Sequence, residues 1–301
     1  MKKNAEGIKV KRFRFSIYGL VSVIILGIYS FTVLLLLIWA LITSFKSDLD
    51  FGTITDGNIF GFPKTWEFSN YVTAFESVIE NISTPTGTRG VTLVGMFGNS
   101  LLYAGVGTFV FCLTRMLVAY ACARYKFVGR KVIYTVVVVT MIIPIVGSLA
   151  SELQMAHALG IYDTIWGLWI MKAGFTGMPF LIFHASFSSI PETYAEAARI
   201  DGAGHFSILF RIMLPLVVPT FVAVYITNFI VFWNEYTTQM VFAPNYPTLA
   251  YGLYHFQFVG GSHSTPVYLA ACAIVCIPII IVFIAFRNVI MNNVAIGGIK
   301  G

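Results

Sequence analysis

Six stretches of mostly apolar residues, each long enough to cross a bilayer as a helix, leave this chain few other ways to fold. A crossing takes about 20 such residues, because every backbone polar group at that depth must be paired within the segment itself. The stretches are Ser16 to Thr43, Val94 to Ala123, Val132 to Ala150, Ile165 to Phe187, Leu216 to Phe232 and Val267 to Phe286. Pro144 and Pro278 are expected to kink the third and sixth, and Gly174 and Gly177 lie near the middle of the fourth. Of the 301 residues 57% are hydrophobic and 11% charged, far from the roughly 25% charged residues of a soluble domain, which excludes a cytosolic enzyme. The net charge of +6 comes from basic residues that punctuate the apolar runs without forming a stripe, so no nucleic-acid partner is implied. Cys112, Cys122, Cys272 and Cys276 all sit inside apolar runs and read as small buried hydrophobes, not as a disulfide framework or a metal pair.

Charge asymmetry sets the expected orientation. Lys2, Lys3, Lys9, Lys11, Arg12 and Arg14 precede the first stretch; Arg124, Lys126, Arg130 and Lys131 follow the second; Arg199 and Arg211 follow the fourth, and Arg287 and Lys300 the sixth. The alternate connections hold only Lys46, Lys64 and Arg89 beside most of the acids, so both termini are expected on the cytoplasmic side. Residues 1–15 form a cytoplasmic tail and 16–301 the membrane domain, whose first crossing is too long for a signal-peptide core and reads as a retained anchor. Two connections are too large for turns: an outer excursion over 47–93, with a surface helix expected over Ser69 to Ile82, and a cytoplasmic loop over 188–214. The fold class is thus an all-α, six-helix, multi-pass membrane protein. Asn81-Ile82-Ser83 matches a glycosylation pattern that is frequent by chance and carries no weight.

The cytoplasmic loop reads SSIPETYAEAARIDGAGHFSILFRIMLP. Ser188 or Ser189 followed by Pro191 and Glu192 is a helix start. The helix is expected to run through Ala195, Ala197 and Ala198 until Gly202 ends it, with Tyr194, Ala197, Ala198 and Asp201 on one small-sided face and Glu196 paired with Arg199. A second short helix, HFSILFRIML, is expected to close at Pro215. A positively flanked, small-faced helix outside the membrane needs something to receive it; the plain alternative is an amphipathic connector on the membrane surface.

Glu196-Ala197-Ala198, Gly202, Ile212, Leu214 and Pro215 reproduce the pattern EAA-x3-G-x9-I-x-LP. In this the chain resembles the permease subunits of bacterial binding-protein-dependent ABC importers. PETYAEAARIDGA, FGNSLLYA (Phe97 to Ala104), AYACARYKFVGRK (Ala119 to Lys131), FWNEY (Phe232 to Tyr236) and the closing GGIKG are similar to the carbohydrate branch, in particular the smaller permease of maltose-type systems. The likeness covers about Phe31 to Gly301. It implies that the loop docks as a coupling helix into a cleft of an ATPase subunit. It also implies a second homologous permease, two ATPase subunits or domains, an extracellular solute-binding protein, a sugar substrate and residence in the bacterial inner membrane. No G-x-x-x-x-G-K-[ST] run is present, so the chain is expected not to hydrolyse ATP and to bind no cofactor, with ATP and magnesium held by the partner ATPases.

Polar groups at membrane depth are costly and mark candidates for the substrate path. Tyr225 and Asn228 in the fifth stretch, with Trp233 and Asn234 at its end, supply the amides and aromatic faces that sugar recognition uses; interhelical bonding by Asn228 and interfacial anchoring by Trp233 are the competing readings. Asn99 and Ser100 fit helix packing, and Arg115 either snorkels or pairs within the bundle. His184 and Lys172 have no paired acids at that depth and imply no proton relay. The leading function is therefore sugar import. The same importer class acting on a polyol or glycerol-phosphate-type solute stays open, and an ion-coupled secondary transporter, which needs intramembrane carboxylates, is less favoured.

Overall fold

A computed structural model describes residues 17–52, 57–85, 87–143, 147–259 and 264–296, with side chains described as far as Arg287. Among these residues four helices are long and apolar enough to cross a membrane: Ile17–Thr43, Leu93–Arg124, His205–Trp233 and Thr265–Arg287, the last continuing to Ile296 through Pro278. The third and fourth expected crossings are not continuous helices. The third is the 13-residue Arg130–Ile142, too short at about 1.5 Å per residue to span the bilayer core. A separate helix, Leu149–Ala158, follows it. Pro144 lies outside the described residues. The fourth is split into Ile165–Lys172 and Met178–Ser189 by an unwound stretch over 173–177, where Gly177 takes φ +107°.

Two hydrophobic cores are stacked along the helices. One gathers Met96, Tyr103, Leu168, Phe232, Trp233 and Ala271; the other gathers Cys112, Met116, Phe183, Phe187, Ala198 and Met213. Leu93–Arg124, the fourth segment and His205–Trp233 each contribute one part of their length to each core, whereas Thr265–Arg287 packs only into the first, and the change falls at a common level. In Leu93–Arg124 it follows a π-helical turn over Leu101–Val106; in the fourth segment it is the break itself; in His205–Trp233 it is Tyr225, which packs against both cores. The π turn leaves carbonyls without regular helix partners, and side chains take them up: the Trp169 indole N–H donates to Leu102 O at 3.1 Å and the Tyr225 hydroxyl to Gly105 O at 3.0 Å. The first span is built differently. Nothing along its most apolar stretch is buried, and only Thr43 at its end is.

The excursion over 47–93 departs from an all-α chain. The surface helix stops at Ser77, and Ile79–Thr84 pairs antiparallel with Gly87–Thr92. The earlier part is tied by a fully buried lysine: Lys46 Nζ donates to Asn58 O at 2.6 Å and Ile59 O at 3.0 Å, while the Asp50 carboxylate accepts from the Lys64 amide at 2.8 Å. Segments far apart in sequence meet at this end. Asn99 Nδ2 donates to Pro247 O, Ser100 Oγ accepts from the Leu249 amide, and Asp163 accepts from both the amide and the side chain of Asn245. Asn245 Oδ1 in turn takes the Ser83 amide, and Glu80 pairs with His255 at 2.9 Å. The cysteines are free; Cys112 and Cys122 are buried as expected, whereas Cys272 is half-buried and Cys276 is exposed on this chain's surface.

Candidate functional site

At the opposite end from the hairpin, the helix expected to dock is Thr193–Ile200. No serine caps it: Glu192 holds the cap position without a side-chain bond, and Ser189 Oγ donates to Ser186 O in the preceding helix. Its far end is a Schellman motif, with Ala203 N–H on Ala198 O at 2.9 Å and Gly202 N–H on Arg199 O at 3.0 Å. That motif needs a left-handed residue, and Gly202 supplies it at φ +80°, with open space where a Cβ would stand. The constraint at 202 is therefore conformational and not a close approach.

The inward face is Ala195 and Ala198, both buried in the second core. Tyr194, Ala197 and Asp201 face out with Glu196 and Arg199, so the expected face is divided, and Glu196 makes no ion pair with Arg199 among the described residues. Ile200, Phe206 and Phe210 extend the exposed surface as bare apolar side chains. The loop is nevertheless held firmly from behind. Arg124 Nη2 donates to Ile190 O at 2.6 Å, the Tyr125 hydroxyl meets His205 Nδ1 at 3.2 Å, and Tyr120 sits edge-on to Tyr125 and Phe187.

The helix after the loop does not close at Pro215. It runs unbroken from His205 to Trp233, because a π turn over Leu209–Met213, with Leu214 N–H on Leu209 O, absorbs the missing proline donor. Ile212 and Leu214 are half-buried in this turn and Pro215 is exposed.

The four residues expected along a substrate path do not share one face. Asn234 is exposed and Asn228 half-buried, each donating its side-chain amide to its own helix, at Ile230 O and Val224 O, both at 2.8 Å. Tyr225 spends its hydroxyl on Gly105 O. Trp233 is 2% exposed, packed on Phe97 and Phe229, and in this conformation presents no face to a sugar ring. Thr227 and Val231 share the exposed side with Asn234; Thr227, which sequence reasoning missed, could have been found from its seven-residue spacing to Asn234. Also missed were Tyr103 and Gln239, fully buried with the Tyr103 hydroxyl and both Gln239 amide atoms unpartnered. Glu235 of the FWNEY sequence caps the next helix, accepting from the Thr237 amide at 2.9 Å.

Four helices long and apolar enough to cross a membrane, with a loop whose outer face is bare, describe a multi-pass membrane protein. The chain belongs to the family of binding-protein-dependent transport system inner membrane components, whose model matches residues 115–295. That family is the membrane component of ABC importers, not their ATPase. Over 297 residues, 94% of this chain and 95% of the relative, it is 30% identical to the inner membrane ABC transporter permease protein YcjP of Escherichia coli. It is 28% identical over 289 residues, 93% of this chain and 88% of the relative, to the diacetylchitobiose uptake system permease protein NgcG of Streptomyces coelicolor. A solved bacterial ABC transporter involved in the import of the acidic polysaccharide alginate shares the fold, with a TM-score of 0.74 at 24% identity, covering 91% of this chain and 98% of that one.

Proposed function

We propose that this chain is one permease subunit of an ATP-driven importer that moves a mono- or oligosaccharide, handed over by an extracellular binding protein, across a bacterial cytoplasmic membrane. The observation that carries the reading is the docking helix: Glu196 and Ala197 point outward from a loop fixed by Arg124 and the Tyr125–His205 contact, beside the exposed Ile200 and Phe206. Such a surface is shaped for a cleft in a partner, and the family match supports an ATPase as that partner. One loop serves one ATPase site, so a second homologous permease and two ATPase subunits or domains complete the assembly. ATP and magnesium belong to those ATPases. The unburied first span is a further reason to expect a neighbouring subunit or lipid along it.

Arg124, Lys126, Arg130, Lys131, Arg199 and Arg211 gather at the docking-loop end, which supports that end as the cytoplasmic one and the hairpin end as the face for the binding protein. Sugar as the solute rests on the kinship with NgcG and on the exposed polar side chains of Thr227 and Asn234. Proteoliposomes holding the complete complex, supplied with binding protein and ATP, should accumulate a labelled oligosaccharide. Uptake that ignores ATP and the binding protein but follows an ion gradient would overturn the assignment.

A further inference from the structure

Residues 173–177 interrupt a helix at the level where the two cores meet, and unwound backbone at membrane depth must find partners in protein. Two neighbouring side chains of the Leu93–Arg124 helix supply them. Arg115 Nη1 donates to Lys172 O at 3.1 Å and to Phe111 O of its own helix at 2.9 Å, and Arg115 Nε to Thr176 O at 2.8 Å; the one proton of the Thr114 hydroxyl is shared between Gly174 O at 2.9 Å and Val110 O of its own helix at 3.0 Å. Alternate carbonyls of the unwound stretch are thus gripped from one side. Arg115 is 7% exposed, its guanidinium carbon lies 3.5 Å from the Phe111 ring centre, and no carboxylate pairs with it among the described residues. A buried cation is costly unless its donors are used, so this arginine is committed to holding backbone.

The segments on either side of the break belong to different bodies. Met178–Ser189 runs straight into the docking loop and buries Phe180, Phe183 and Phe187 in the core that holds Ala195 and Ala198. Ile165–Lys172 buries Leu168 in the other core, with Trp233 and Tyr103, and its Trp169 is bonded to the π turn. A displacement of the docking loop therefore reaches the second segment along the first through residues 173–177, in parallel with the two long helices that cross both cores.

We propose that Arg115, assisted by Thr114, is a positioning residue for transport that keeps this stretch unwound as the joint between a body that follows the docking loop and a body that holds the opposite end. The inference rests on the importer reading. Its test uses the intact transporter complex, with spin labels at Ile170→Cys and Ser188→Cys, both exposed positions, in a chain lacking the four native cysteines.

With Arg115 present, the label separation should shift by about 2 Å between nucleotide-free and ATP-trapped complexes. Arg115→Met should abolish the shift and lower solute moved per ATP hydrolysed about tenfold while ATP turnover continues. Arg115→Lys should fall between, because an ammonium cannot reproduce the guanidinium fork. A residue that only stabilises the fold would lower the amount of complex and leave the shift and the transport ratio of the remainder unchanged; that result in Arg115→Met overturns the proposal. Should Arg115→Met fail to assemble, Thr114→Val decides: about a threefold loss in the ratio with a reduced shift supports the joint, and native values overturn it. The labels read the joint whichever solute is carried, so a wrong solute leaves the outcome legible, whereas a native complex that transports without ATP would strike the importer reading instead.

Discussion

The two ends of the molecule solve the same problem, closing off helix ends outside the membrane, by opposite means. At the hairpin end the closure is polar and long-range: Asp163, Asn245, Ser83, Asn99, Ser100 and the Glu80–His255 pair tie together segments as much as 175 residues apart. At the docking-loop end it is mostly apolar and local, with Ala195 and Ala198 seated on Ile208, Leu209 and Met213 and a few bonds from Arg124 and Tyr125 behind them. The first end also keeps apolar side chains bare, Leu49 at 95% and Phe60 at 87% exposure. The second likewise keeps Ile200 at 87% and Phe206 at 78% exposure, the side chains that the proposed ATPase would cover. Stability should therefore respond mainly to changes at the hairpin end, and assembly to changes at the loop.

The largest stability effect is expected from Asp163→Ala. It strips both bonds to Asn245 and places alanine at φ +53°, which together should cost about 3 kcal/mol. Thermal unfolding of the detergent-solubilised chain measures it, and Asp163→Asn, which tolerates that backbone and keeps an acceptor, should cost less. A drop under about 0.5 kcal/mol, the range of an ordinary surface change, would mean that the polar network is not what closes this end.

Phe206→Glu sharpens the contrast from the other side. Unfolding should change by no more than about 0.5 kcal/mol, since the ring touches solvent in the isolated chain. Recovery of the ATPase in a pull-down should fall about tenfold, as for the loss of a buried aromatic at a docking surface.

Between the ends, Tyr225→Phe leaves Gly105 O without its partner and should cost about 1 kcal/mol while transport persists. Loss of transport at normal stability would return that hydroxyl to the substrate path. The smallest effect concerns the outer excursion. Burial works against the charge of Asp50, but the Lys64 amide, the Asn58 side chain and the charges of Lys64 and Lys46 outweigh it and hold the carboxyl below its usual range. A lowered carboxyl stabilises the fold above its unfolded pKa of about 4 and loses that contribution as pH falls through the lower folded value. Limited proteolysis of residues 47–67 should accelerate in that acid window, and Asp50→Asn should flatten the dependence.

What the sequence disclosed was whatever local chemistry decides. Apolar length marked the four continuous spans, and the placement of Gly202 after an alanine-rich turn marked where that helix ends, which needs no distant partner. The break at 173–177 was half visible. Gly174 and Gly177 stood near the middle of the fourth stretch, but what holds that segment open is Arg115, some 60 residues earlier. The hairpin was hidden because helical spacing in SNYVTAFES carries on into VIENI, while the strand that pairs with it, GTRGVT, has little β-forming character. Trp233 reads from the sequence as a face for a sugar ring, with interfacial anchoring as the competing reading; that Phe97 and Phe229 enclose it in this conformation depends on the tertiary packing.

In the proposed importer, ATP hydrolysis drives transport through the docking loop. Solute uptake and ATP turnover, measured on the same reconstituted complexes carrying Glu196→Lys or Gly202→Leu, test this most directly. Glu196 is exposed on the outer face, so the lysine should weaken ATPase docking without unfolding the loop. A leucine at φ +80° finds room for its Cβ but strains the backbone by about 1–2 kcal/mol, which should shift the helix end and its contacts. Both inserted variants should transport at least about tenfold less per ATP hydrolysed than the native complex, or recover too little ATPase to turn over. Native transport and native turnover in both would contradict the account and leave this loop as an ordinary connector.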